Sequence, residues 1–269
     1  MENQLFWDKI IDFPLEGRSE KPRKSGLTMV IDKGMGLAAV KDWLTLNAPF
    51  VDYMKFSFGT SALYPEDVLC EKITCIRNSG IEVYPGGTFL EIALWRGKLD
   101  EYLLRSLDLG YSCIEVSDGT LDIEASTRRG IIEKARGMGF SVITEVGQKD
   151  ARDSKPLSAL LEQIGEDLRA GASKVIVEAR ESGKGVVIFD GEGKLRRDEM
   201  EQLTAAAPEG SLIWEAPDKK QQHQLIERFG PDVNLGNIPP DEVVALESLR
   251  RGLRGDTFRS AIQRKKERV

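Results

Sequence analysis

The sequence predicts an α/β chain closed into a (β/α)8 TIM barrel. Three observations predict it. Eight short apolar runs recur along the chain, helix-like segments separate them, and a glycine stands at several of the returns. Strands that alternate with helices pair in parallel through right-handed crossovers. Eight such units in one chain of 269 residues fit a closed barrel, with a doubly wound open sheet as the alternative.

The elements follow in order. About 25 residues read as an extended arm before the first run, LTMVID (27–32). Then come VDYMKF (51–56), IEVYP (81–85), SCIEVS (112–117) and FSVITEV (140–146). KVIVEA (174–179), SLIWEA (211–216) and DVNLG (232–236) complete the set. Between them, PEDVLCEKITCIRNSG, RRGIIEKARGMGF and LSALLEQIGEDLRAGA carry apolar residues three and four apart, the spacing of one helix face. Gly80, Gly110, Gly139 and Gly171 stand where helices should end. No linker divides the chain, so residues 1–269 read as one domain. The arm spans about 1–25, and a basic tail, RSAIQRKKERV (259–269), reads as solvated.

Composition excludes several function classes. The net charge of −6 makes nucleic acid and anionic membrane surfaces poor partners. No apolar run reaches the roughly 18 residues of a membrane span, and the N-terminus lacks the pattern of a signal peptide. The expectation is a cytoplasmic protein. Three cysteines, Cys70, Cys75 and Cys113, are odd in number and lack CxxC spacing, which argues against disulfides and zinc. The single histidine, His223, sits in the polar helical stretch DKKQQHQLIERF. Chemistry that needs a positioned imidazole is therefore disfavoured.

The informative pattern is at the strand ends. A parallel strand buried on both faces should be almost wholly apolar. Here Asp32, Glu115, Glu145, Glu178 and Glu215 stand at the C-terminal ends of five strands, where barrel active sites lie. Two carboxylates about 6 Å apart repel by roughly 3 kcal/mol at an effective dielectric of about 20. Cations must sit among them, and Lys33, Lys55, Lys149 and Arg180 are candidates, as is a divalent metal. Structural salt bridges within the rim are the competing explanation for any one of these residues. The eighth run adds Asn234 and Asn237.

Other motifs carry less. DKGMGLAA after the first run matches GxGxxA, but Asp32 and Lys33 crowd the turn and the second run ends in Lys55, which disfavours a dinucleotide. ESGKG (181–185) lacks the first glycine and the Ser/Thr of a phosphate loop. PGGT (85–88) is either a tight turn or a contact for a phosphate or carboxylate.

KPRKSGLTMVIDKGMG, VDYMKFSFGTS, YPGGTFLE, IEVSDGT, ITEVGQKD, AGASKVIVEARESG, IWEAPDKKQQ, VNLGNI and ALESLRRGLRGDT occur in order between about residues 21 and 258. In these motifs the chain resembles the phosphosulfolactate synthase family. The resemblance implies a (β/α)8 barrel, a carbon–sulfur lyase acting in the synthetic direction, and a homo-oligomer. It implies Mg2+-dependent addition of sulfite to phosphoenolpyruvate, giving (2R)-2-O-phospho-3-sulfolactate, on a route to coenzyme M or to sulfolactate. The chain keeps the second lysine of the fifth-strand motif in GQK, where GKK or GSK is also expected. Sulfite is itself nucleophilic, so no histidine or serine is required. On this reading Lys149 delivers the proton, Glu115, Glu145 and Glu178 hold the metal, and Lys33, Lys55 and Arg180 bind the anions. Asp32, Glu215 and Asn234 orient the others. The alternatives are another enolate-type enzyme acting on a small phosphorylated acid, and a non-catalytic stress-related relative. Fold alone does not separate them.

Overall fold

The computed structural model describes residues 7, 10–147, 156–178 and 196–267. Eight parallel strands form a nearly closed (β/α)8 TIM barrel, with sheet order β3-β2-β1-β8-β7-β6-β5-β4. The first half is β1 (Thr28–Asp32), α1 (Leu37–Asn47), β2 (Tyr53–Phe56), α2 (Glu66–Asn78) and β3 (Glu82–Pro85). Two helices, α3 (Gly87–Trp95) and α4 (Leu99–Asp108), lead to β4 (Cys113–Val116), α5 (Ala125–Gly137) and β5 (Ser141–Val146). Next come α6 (Leu157–Ala170), β6 (Lys174–Val177), α7 (Arg197–Ala206) and β7 (Leu212–Glu215). The chain ends with α8 (Lys219–Phe229), β8 (Leu235–Ile238), α9 (Val243–Arg250) and α10 (Gly255–Glu267).

Local chemistry explains the element ends. Gly171, at φ 111°, closes α6 in a conformation that a Cβ would oppose. Asp218 and Gln221 form a reciprocal capping box at the start of α8. Residues 259–267 of the basic tail continue α10, whose start is tied to α8 by Lys219–Asp256 at 2.5 Å and whose later turns are tied by Arg264 donating to the Glu227 carbonyl at 3.0 Å. Helical spacing brings Ala261 onto the core, which the charge count alone concealed.

Two apolar layers result from strand alternation. Outward residues such as Val30, Ile114, Val142 and Val175 meet the helices in the main core. Inward residues Met29, Tyr84, Cys113, Ile143, Ile176 and Ile213 fill the barrel, with Tyr53 packed on them. The Tyr84 hydroxyl donates to Met29 Sδ at 2.6 Å within this layer. Because the period is two, the next inward positions are Lys55, Glu115, Glu145, Glu178 and Glu215. The ring of charge is thus stacked directly on an apolar floor.

The barrel is completed between β3 and β4 by sparse pairing. Ser112 N donates to the Val83 carbonyl at 3.2 Å, and Val83 N donates to the Ser112 hydroxyl at 3.1 Å. At the opposite end of the strands from the charge ring, the arm wraps the barrel. Arg18 grips Glu247 through Nε at 3.1 and 3.2 Å and donates to the Gly26 carbonyl at 2.7 Å. Arg250, fully buried, donates to the carbonyls of Val233 at 2.7 Å and Leu27 at 3.2 Å.

Candidate active site

The centre of the barrel mouth is an ion cluster. Lys55 Nζ lies 2.9 Å from Glu115 Oε2 and 3.1 Å from Glu145 Oε2, and all three residues are buried. At about 3 Å each contact supplies ~5 kcal/mol of attraction at an effective dielectric of about 20. Burial disfavours the charged ammonium, but Glu115, Glu145 and Glu215 together outweigh it and raise the Lys55 pKa well above the ordinary lysine value. Glu115 is the mirror case. Burial raises its pKa most, Lys55 pulls it back, and Glu145 raises it again, so it remains above its usual 4.5. Glu178 and Glu215 are buried on the adjacent strand ends. Among the described residues, Lys55 is thus the ammonium that Glu115 and Glu145 share.

The PGGT turn meets a carboxylate of the chain itself. Gly87 N, at the start of α3, donates to Glu115 Oε1 at 2.7 Å. Both Glu115 oxygens are engaged, one by Lys55 and one by Gly87, so Glu115 clasps the start of α3 to the end of β4. A Cβ on Gly87 would lie 2.8 Å from Glu115 Oε1 and closer still to Ser117 Oγ. Gly87→Ala is expected to cost about 1–3 kcal/mol of stability by overpacking and to displace Glu115. Thermal melts and an activity assay check this, and a variant that matches the wild type in both disproves the close approach.

The remaining predicted residues separate by role. Asp32 Oδ1 accepts from Gly34 N and Met35 N, both at 2.8 Å, and its Oδ2 pairs with Lys72 at 2.5 Å. It anchors the loop after β1, which carries Lys33. Lys33 is exposed, its Nζ 5.6 Å from the centroid of the Phe58 ring. Asn234 is a correction. It precedes β8 and lies at the N-terminal end of the barrel, where its Oδ1 accepts from Leu27 N at 3.0 Å. Its Nδ2 donates to the carbonyls of Gly210 and Leu212, each at 2.9 Å. It ties strands together on the face away from the ring. Lys149 and Arg180 lie outside the described residues. His223 lies half-buried on α8 in the helix layer, 3.9 Å from Glu227.

Several supporting residues were not anticipated. Lys72 is fully buried on α2, donates to the Met35 carbonyl at 2.7 Å, and sits 4.6 and 4.7 Å from the ring centroids of Phe56 and Tyr64. Arg128 on α5 grips Asp167 of α6 in a bidentate pair at 2.7 and 2.8 Å. It also donates to the Glu145 carbonyl at 3.0 Å and to Asp118 at 3.3 Å. Glu91 accepts from Ser117 Oγ, Thr120 N and Leu121 N at 2.8, 2.8 and 2.6 Å, which holds the loop after β4.

Mg2+ fits this chemistry in a limited sense. The ring offers oxygen donors, and no three acidic, histidine or cysteine side chains among the described residues gather closely enough to hold a metal by themselves.

Comparison with known proteins bears on the reaction class. Residues 16–256 match the family model described as (2R)-phospho-3-sulfolactate synthase (ComA). A phosphosulfolactate synthase of Methanothermobacter thermautotrophicus is 47% identical over 249 residues, covering 92% of this chain and 96% of that one. Another, from Bacillus subtilis, is 39% identical over 252 residues, covering 92% and 98%. Among solved structures, the YdjI aldolase of Escherichia coli K12 superposes with a TM-score of 0.54 at 11% identity, over 90% of this chain and 91% of that one, which is a likeness of fold alone. The chain belongs to the (2R)-phospho-3-sulfolactate synthase family, a family of carbon–sulfur lyases.

Proposed function

We infer that the chain adds sulfite to phosphoenolpyruvate to give (2R)-2-O-phospho-3-sulfolactate. The observation that carries this reading is the buried glutamate ring around Lys55, in a family whose curated relatives bear the name of that synthase. No histidine is placed at the ring. A reaction whose nucleophile is supplied by the substrate suits such a mouth.

In the proposed step the sulfite sulfur bonds to C3 of phosphoenolpyruvate. The C2–C3 π electrons move toward the C1 carboxylate, and a proton then reaches C2. Bound Mg2+ would stabilise the charge that gathers on that carboxylate. Glu115, Glu145 and Glu178 are the residues proposed to hold it, with Glu115 also fixed in place by Lys55 and Gly87 and Glu215 beside them. Lys55 itself is held too firmly in its charged form to give up a proton readily. Its proposed role is to keep Glu115 and Glu145 ionised and oriented. Lys149 remains the proposed proton donor, and Lys33 and Arg180 the proposed contacts for the phosphate and sulfite anions.

The test is direct. Phosphorus NMR of phosphoenolpyruvate, sulfite and Mg2+ with the protein should show a new phosphate ester that requires all three. Lys149→Ala should reduce its rate at least a hundredfold, within the range for loss of a general acid (about 10²–10⁴). Product formed equally by the variant removes Lys149 from the mechanism. No product from folded wild type removes the reaction itself.

A further inference from the structure

The pairing of β8 with β1 is irregular. Thr28 faces Leu235 and Val30 faces Ile238, so β8 spends one more residue than β1 over the same span. This is a β-bulge, the device that re-aims a side chain at a barrel rim. Leu235 and Ile238 both pack into the outer core. The two residues between them therefore belong to the lumenal side. For Gly236 this is direct: an added Cβ would meet Ile213 Cγ2 at 3.1 Å and Met29 more closely still, both in the barrel interior. Asn237 follows, one residue nearer the mouth, beside the strand whose Glu215 is paired with Gly236.

Asn237 carries two unfavourable features together. Its φ is +55°, left-handed for a residue with a side chain. Its Oδ1 is buried without a hydrogen-bond partner, in a residue more than nine-tenths buried. Glycine would relieve both. What asparagine adds is a neutral carboxamide at the edge of a ring of glutamates. A carboxamide is well matched to an oxygen-rich anion, because a half-turn about its Cβ–Cγ bond exchanges Oδ1 and Nδ2 and brings a donor to the unpartnered position. Unlike a sixth charge, it adds no repulsion.

We propose that Asn237 contacts the substrate, binding an anionic oxygen of the phosphorylated acid through its side-chain amide. This rests on the reaction inferred above. The contact needs no proton transfer, so its loss weakens binding more than turnover.

Asn237→Gly is the deciding variant, because glycine keeps the left-handed backbone without strain. Its melting temperature should equal or exceed that of the wild type. Its KM for phosphoenolpyruvate should rise roughly tenfold to hundredfold, the range for a hydrogen bond to a charged group, with kcat changed less than threefold. Asn237→Asp, of the same shape but charged, should raise KM further. Calorimetric titration with phosphoenolpyruvate should show the same loss of affinity without turnover. An active wild type whose glycine variant keeps KM and affinity overturns the role of Asn237 alone. A folded wild type that neither binds nor converts phosphoenolpyruvate overturns this inference together with the reaction.

Discussion

Replacing Lys55 by methionine is expected to abolish activity and to destabilise the protein by about 3–5 kcal/mol at neutral pH, the range for leaving buried partners of an ion pair uncompensated. Glu115 and Glu145 lose the cation that both contact, and Glu215 loses a favourable field. The effect should depend on pH, with a definite sign. Glu115 already has a folded pKa raised above 4.5. A carboxyl raised in this way contributes stability that is present below its unfolded pKa and lost as pH rises through the folded value. Without Lys55, the opposing cation that pulls this value down, the shift grows. Lys55→Met should therefore be nearest to wild type around pH 5 and fall progressively behind it toward pH 8. Lys55 itself, raised above 10.5, keeps its contribution throughout that range. Thermal melts of both proteins across these pH values check the claim. An equal depression of melting temperature at every pH would show that lost packing, not charge, is responsible.

Arg128→Met is the second large expected effect. The guanidinium satisfies the buried carboxylates of Asp167 and Asp118 and the carbonyl of Glu145 at once. Its removal leaves two acids buried beside each other and frees the end of β5. The expected loss is again about 3–5 kcal/mol. Arg128→Lys should recover only part of it, because an ammonium cannot reproduce the planar fork that meets both Asp167 oxygens. In the variants that remain folded, kcat should fall with little change in KM, since Arg128 acts through Glu145 and not on substrate. Denaturant unfolding and steady-state kinetics measure the two effects. Full rescue of stability and kcat by lysine would refute the bidentate role.

The strand ends show how much of this was legible in the sequence. Acids on buried strands violate the apolar rule for parallel sheets, so Glu115, Glu145, Glu178 and Glu215 stood out without coordinates. The clasp function of Glu115 did not, because it depends on α3 beginning at the same height as the end of β4. The eighth strand was framed too early. Val233 and Asn234 read as strand residues, whereas the strand itself, LGNI, contains a glycine and an asparagine at a bulge. That offset placed Asn234 at the mouth and left Asn237 unassigned.

The supporting charges are visible in the phase of the helices. Lys72 belongs to Leu69, Ile73 and Ile76 on α2, and Arg128 belongs to Ile131, Ile132 and Ala135 on α5. Each occupies a position of the buried stripe. Asp167 does the same beside Leu160 and Ile164 on α6. A charged residue in the apolar phase of a helix was the available signal, and it is a stronger one than charge at the polar face. What each grips could come only from the fold, since the partners lie on other elements.

The sparse junction of β3 and β4 has a consequence for motion. Seven strand pairs are hydrogen-bonded ladders, one of them bulged; the junction of β3 and β4 is joined by a serine at one end and, toward the mouth, by the Gly87–Glu115 contact. The barrel is a split ring whose upper fastener is an ionisable group. Protonation of Glu115 weakens the charge that Gly87 N grips, so the electrical state of the mouth sets how tightly the ring is drawn shut. Solvent deuterium should enter the sheet first along this line, at the amides of Val83 and Gly87, and a ligand that stabilises the Glu115 carboxylate would slow its entry there before anywhere else in the barrel.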